Sequence, residues 1–177
     1  MSIKTIVAID PDVTESGVCL IILKDNKTFD IQVTKSTFPD LIEMLRVVDD
    51  KESGKIVLEA GYKIKSNWHI FSSKSVSMAA EIGNRTGRNH AVGMMLYEVL
   101  TSYGYDVIEQ KPLSKETVYV KGKKEKVKVS KERLEEILKF KLPRCNQDVR
   151  DAVLLAVDGM KKLGFINYKV NSIKIKK

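Results

Sequence analysis

Four carboxylates, Asp10, Glu59, Asp148 and Asp151, are the residues of this chain whose type and placement suit chemistry. Asp10 closes the apolar, β-branched run 3–9, and Glu59 closes the short run 55–58. Asp148 and Asp151 stand three residues apart, which puts them on one face of a helix. Singly, each has a plain structural reading: an acid at a strand end is usually a turn residue, and an acidic pair in a first helical turn complements the helix dipole. Crowded together they repel one another unless a hard divalent cation neutralises them, and Mg²⁺ takes oxygen ligands of this type while keeping water positions open. Two such ions, roughly 3.5–4 Å apart, activate a water and steady the leaving oxygen of an in-line phosphodiester displacement. These residues therefore predict metal-dependent phosphodiester hydrolysis on two Mg²⁺ ions, with Mn²⁺ able to substitute.

The elements that must position them can be read from periodicity and punctuation. Residues 3–9 form a strand covered on both faces, and 17–23 and 29–33 form two more around the turn residues Lys24 to Lys27. Helical spacing follows over 39–48, then a fourth strand over 55–58, ended by Glu59. Residues 61–75 read as a loop running into a helix over 76–102, which Gly83 and Gly87 are expected to weaken. Residues 105–108 read as the fifth strand. Ser130 caps a helix bearing Leu134, Ile137 and Leu138, and Asn146 or Gln147 starts a last helix bearing Ala152, Leu155, Ala156 and Met160. This order predicts an α/β fold with a mixed five-stranded sheet, three antiparallel strands and then two parallel ones, flanked by helices. Sites in such sheets gather at the carboxyl ends of parallel strands, where Asp10 and Glu59 fall. Asp158 lies seven residues beyond Asp151, about 10.5 Å along a helix, and is left out of the site.

The chain of 177 residues, 43% hydrophobic, fits a single domain spanning 1–177. Its net charge of +8 favours a polyanionic partner. Twelve basic residues against five acids fall between positions 111 and 144, a pattern that suits either a solvated lysine-rich loop or a phosphate-binding surface. Lys111 and Lys115 open that segment. Tyr62 and Trp68, set among Lys63, Lys65 and Lys74, suit stacking on exposed bases with cations on phosphates, although Trp68 and Phe71 also have the i, i+3 spacing of core residues. Arg85 and Arg88, flanking Gly87, are further phosphate candidates. Cys19 and Cys145 have no CxxC partner, and His69 and His90 are too separated for a histidine centre, so neither zinc nor a disulfide framework is indicated. No charged leader with an apolar core and no apolar run near eighteen residues is present, which predicts a cytoplasmic, bacterial or virus-encoded protein without a membrane partner.

The wording around the four acids resembles the RuvC-type Holliday junction resolvase family, of RNase H-like fold. Asp10, Pro11, Thr14 and Gly17 match the family's opening strand and turn, with Asp12 standing where the family usually has Gly. Ile56-Val57-Leu58-Glu59 is similar to its apolar strand ending in Glu. Asp148-Val149-Arg150-Asp151-Ala152, preceded by Leu142-Pro143, resembles its closing helix. The resemblance implies a homodimer that cuts four-way DNA junctions in pairs with Mg²⁺, using Asp10, Glu59, Asp148 and Asp151, and no small-molecule cofactor beyond the metal. The apolar face of residues 92–100, beside the glycines of 83–93, is the candidate dimer interface; the other reading is that it packs on its own sheet. Competing readings are an RNase H-like nuclease acting on flaps or RNA–DNA hybrids, and a non-catalytic DNA-binding module that would need no acidic cluster. A phosphotransferase of the actin-like type would want a second Gly-rich phosphate loop, which is missing.

Overall fold

The computed structural model describes residues 4–47, 51, 53–64, 75–113, 116–120 and 123–175. Its strands are β1 (Thr5–Asp10), β2 (Ser16–Leu23), β3 (Thr28–Ser36), β4 (Gly54–Glu59), β5 (Val107–Gln110), β6 (Glu116–Val120), β7 (Lys123–Val127) and β8 (Lys169–Ile175). Its α-helices are α1 (Phe38–Val47), α2 (Val76–Ser102), α3 (Lys131–Leu138) and α4 (Gln147–Lys162), with a 3₁₀ turn at Gly61–Lys63. The main sheet runs β5-β4-β1-β2-β3-β8. β1, β2 and β3 pair antiparallel, and β4 and β5 lie parallel to β1 on its other side. The first five strands thus adopt the expected arrangement, three antiparallel and then two parallel.

Two features correct the expected strand count. β8 joins the sheet as a sixth strand, parallel to β3, and β6 and β7 form a separate antiparallel hairpin inside the lysine-rich segment. The fifth strand also begins two residues later than expected. Tyr105 is drawn instead to the end of α2, where its N–H donates to Leu100 O at 3.1 Å and its hydroxyl donates to Leu45 O.

α2 is one continuous helix of 27 residues, so Gly83 and Gly87 do not interrupt it. A glycine costs a helix about 1 kcal/mol relative to alanine, which long flanking segments absorb. Ser75 caps it, accepting from Met78 N. Leu96 and Leu100 pack on the sheet with Leu41 and Leu45 of α1, against Val7, Ile9, Val18, Ile56 and Leu58. The apolar face of residues 92–100 is therefore largely used within the fold, and the large exposed apolar residues of α2 are Val76, Met78, Met94 and Met95.

The opposite sheet face carries Ile6, Ala8, Cys19, Ile21, Ile31, Val33 and Val57, covered by Leu134 and Leu138 of α3 and by Val149, Ala152, Val153, Leu155 and Ala156 of α4. Side chains alternate faces along a strand. Asp10 therefore follows Ile6 and Ala8 onto the α4 face, and Glu59 follows Val57 onto the same face. Among the described residues, no helix is long and apolar enough to cross a membrane.

Candidate metal and nucleic-acid site

Ala8 and Ile9 of β1 stand opposite Val57 and Leu58 of β4, so the two strands end together and present Asp10 and Glu59 side by side at their carboxyl ends. The second pair of acids arrives on α4. Asn146 caps this helix, its Oδ1 accepting from Val149 N at 3.1 Å, which places Asp148 in the first turn and Asp151 one turn on. Glycines let α4 sit close to the sheet at both ends. A Cβ on Gly17 of β2 would lie 3.2 Å from the Asp148 carbonyl oxygen and 3.4 Å from Ala152 Cβ. A Cβ on Gly159 would lie only 2.6 Å from Val57 Cγ2.

A cleft of about 230 Å³ opens at this point, lined by Asp10, Glu59, Asp151, Lys128, Val129, Leu154, Pro112 and Leu113. Burial, and then the charges of Asp151, Asp148 and Asp12, push the Asp10 carboxyl up to about 6 against the opposing pull of Lys128. Burial also lifts Glu59, to about 8, with Asp10 and Asp151 adding to it and Lys128 again opposing. Like charges close together in a partly dry site disfavour ionisation, which is why Asp10 and Glu59, each facing the other acids, are both raised.

Two of the acids are partnered by lysines. Lys35 Nζ, near the end of β3, lies 2.5 Å from Asp148 Oδ2, and Lys128 Nζ lies 2.6 Å from Asp151 Oδ2. Gln147 Nε2 donates to Asp151 Oδ1 at 2.6 Å and is itself held by Arg150, whose guanidinium donates to Gln147 Oε1. The bond to Asp148 holds the Lys35 ammonium above its ordinary range. For Lys128, burial is the largest effect and pulls down, but the bond to Asp151 together with the charges of Asp151, Asp10 and Asp148 outweighs it and holds the ammonium above its ordinary range. Among the described residues, no group of three or more carboxylate, imidazole or thiolate side chains is drawn together tightly enough to hold a metal ion as it stands. Asp148 and Asp151 are instead held in ion pairs with Lys35 and Lys128. The donor set nonetheless fits a hard divalent cation, being wholly carboxylate and carrying mutual repulsion that such a cation relieves.

Tyr62 and Lys63, expected as substrate contacts, both turn to Glu109 of β5: the Tyr62 hydroxyl donates to Oε1, and Lys63 Nζ lies 2.5 Å from Oε2. The Tyr62 ring packs at Gly93 of α2, where a Cβ would lie 3.2 Å from the ring. Arg85 and Arg88 are exposed on α2, and the Arg85 charge favours ionised Asp12. Asp12 itself holds the turn after Asp10. Its Oδ1 accepts from the N–H and hydroxyl of Thr14, and its Oδ2 from Asn89 of α2 at 3.2 Å. Lys111 is exposed directly before Pro112 of the cleft wall. Lys65, Trp68, Lys74 and Lys115 lie outside the described residues, as does His69. Asp158, left out of the site, pairs with Lys162 at 2.8 Å. Sequence reasoning did not single out Lys35, Lys128 or Gln147. Lys128 stood within the basic run with nothing to mark it from its neighbours, and Lys35 carried no signal at all.

No protein-family model matches the chain, and no curated protein matches it in sequence. In structure it is similar to Thermus thermophilus RuvC in complex with a Holliday junction substrate (14% identity, 91% of this chain and 97% of that chain, TM-score 0.47). It is also similar to the fowlpox virus resolvase in complex with substrate Holliday junction DNA (14% identity, 90% and 99%, TM-score 0.46) and to the yeast mitochondrial Holliday junction resolvase (9% identity, 99% and 68%, TM-score 0.41). At these identities the likeness is one of fold.

Proposed function

We propose that this chain is a Mg²⁺-dependent endodeoxyribonuclease that resolves four-way DNA junctions, acting as a homodimer. The single observation that carries the reading is the meeting of Asp10 and Glu59, from adjacent parallel strands, with Asp151 of α4 in one cleft beside Lys128, with Asp148 one turn earlier on the same helix and its charge acting on Asp10. A DNA-binding module has no use for clustered acids facing a polyanion, and they lower affinity unless a cation offsets them.

Bound Mg²⁺ would supply an activated water and neutralise the leaving oxygen of the phosphodiester, with two ions per site and Mn²⁺ as a substitute. Asp10 and Glu59 would hold the cations from the sheet, and Asp151 and Asp148 from the helix. To do so, Asp148 would release Lys35 and Asp151 would release Lys128, and the freed Lys128 ammonium, which lines the cleft, would be placed to receive a phosphate oxygen. Lys111 and the basic hairpin segment would carry flanking phosphates, with Arg85 and Arg88 on α2 and Lys65, Trp68, Lys74 and Lys115 as further contacts; Tyr62 and Lys63 can join them only by leaving Glu109. A homodimer would supply the two symmetry-related cuts that resolution into two duplexes needs, each copy contributing its own cleft.

The test is to incubate the purified protein with a synthetic four-way junction, a matched duplex and an RNA–DNA hybrid, with and without Mg²⁺. Paired, Mg²⁺-dependent cuts in the junction are expected. Cleavage of the hybrid alone would move the assignment to another RNase H-like nuclease, and robust cleavage in EDTA would remove the metal mechanism.

A further inference from the structure

The strand next to Glu59 carries a buried amide that the fold leaves without a partner. Gln110, the last residue of β5, is 5% exposed, and neither its Nε2 nor its Oε1 makes a hydrogen bond. Its main-chain carbonyl, by comparison, accepts from Ala60 N at 2.6 Å. An unsatisfied amide in a core destabilises the fold, and apolar residues of the same size are the ordinary solution at such a position. Its surroundings indicate why glutamine stands there. In the parallel β4–β5 pair, Gln110 lies directly opposite Glu59, and Ile108 opposite Val57. The pleat therefore turns Gln110 and Glu59 to the same face, the one covered by α4, one strand spacing of about 4.8 Å apart. Glu109, one residue earlier, points the other way and meets Tyr62 and Lys63. Two residues later the chain lines the cleft at Pro112.

We propose that Gln110 is a positioning residue for Glu59: its amide, idle in this state, orients the Glu59 carboxylate when that carboxylate becomes a cation ligand. Nε2 is the donor suited to a carboxylate oxygen, and Oε1 remains to accept from water in the cleft. The inference rests on the nuclease reading only in taking the cleft to bind a divalent cation.

The test uses the full-length protein and two readouts, the melting temperature in EDTA and Mn²⁺ affinity by titration calorimetry. Gln110→Met keeps the shape of the side chain and deletes both polar atoms; Gln110→Leu repeats the deletion with a different shape. The expected result is opposite in sign for the two readouts. Melting rises by ~3 °C because an unsatisfied buried group is gone, while Mn²⁺ binding weakens about tenfold or more, as for other groups that orient metal ligands. A structural glutamine would give lower melting and unchanged Mn²⁺ affinity. Unchanged Mn²⁺ affinity in a folded variant overturns the proposal, and so does failure of both variants to fold, since removal of an idle amide cannot unfold the chain. If the wild type binds Mn²⁺ yet cuts no junction, the resolvase assignment falls while the Gln110 comparison still decides; a wild type that binds no Mn²⁺ overturns both.

Discussion

Asp10→Asn, Glu59→Gln and Asp151→Asn each remove one charge from the acidic cluster and leave the basic surface untouched. Cleavage of a four-way junction is expected to fall at least about a hundredfold in each variant, with junction binding in a gel-shift assay largely retained. Wild-type cleavage by any of them removes that residue from the site. Asp148→Asn should keep partial activity, since the Asp148 side chain is far more exposed than that of Asp151, 51% against 21%, and is not among the residues lining the cleft. Glu59 adds a stability effect. Its folded carboxyl sits above the ordinary value, at about 8, so the native state holds that proton more tightly than the unfolded chain and loses stability as pH rises from the ordinary range towards 8. Glu59→Gln should therefore melt higher than wild type in EDTA at pH 8, with the difference shrinking towards pH 5. An equal difference at both values would mean that the burial cost lies elsewhere.

At the scale of elements, α4 and β8 carry the testable packing. Because a Gly159 Cβ would sit 2.6 Å from Val57 Cγ2, Gly159→Ala must lift α4 from the strand that ends in Glu59. Overpacking of this kind costs about 1–3 kcal/mol, or roughly 2–9 °C in melting for a chain of this size, and cleavage should drop with it because Asp148 and Asp151 ride on the same helix. β8 is tied down by Asp30 at a register shift in β3: Asp30 Oδ1 accepts from Asn171 Nδ2 and Ser172 Oγ, and Oδ2 pairs with Lys24 at 2.7 Å. The bond from Lys24 and then those from Ser172 and Asn171 hold this carboxyl well below its ordinary range. Its contribution to stability is present above the unfolded value and lost as pH falls through the folded one, so Asp30→Asn should lower melting at pH 7 and the deficit should narrow in strong acid. β1, β4 and the two carboxylate ends were legible because apolar runs closing on an acid are local patterns. α4 was legible from its cap and its 3.6-residue spacing. β8 was not, because Lys169–Ile175 is a partly exposed edge whose pairing depends on Asp30, some 140 positions earlier. Lys35 escaped for the same reason: its meeting with Asp148 depends on β3 register and helix docking together. The β6–β7 hairpin was hidden by lysines that mask its alternation.

For the whole molecule, the basic surplus and the unused apolar residues of α2 set the expectations. Junction binding should weaken steeply with salt as phosphate contacts release counterions, and a flat salt response would remove the basic surface from recognition. Val76, at 87% exposure, and Met95, at 52%, are exposed apolar side chains of α2, whereas Leu96 and Leu100 are already packed within the fold. Sedimentation of the free protein should give a dimer, and strand mapping should give paired cuts; a monomer making single nicks would leave a general nuclease. The seating of α4 has one more effect. Gly17 grips the helix beside Asp148, and Gly159 grips it on Val57, two residues before Glu59. The same surface that closes the core thus spaces the acids, with no hinge between scaffold and chemistry. On heating, catalytic inactivation should coincide with global unfolding in a single cooperative step, with no warm, folded and inactive form in between.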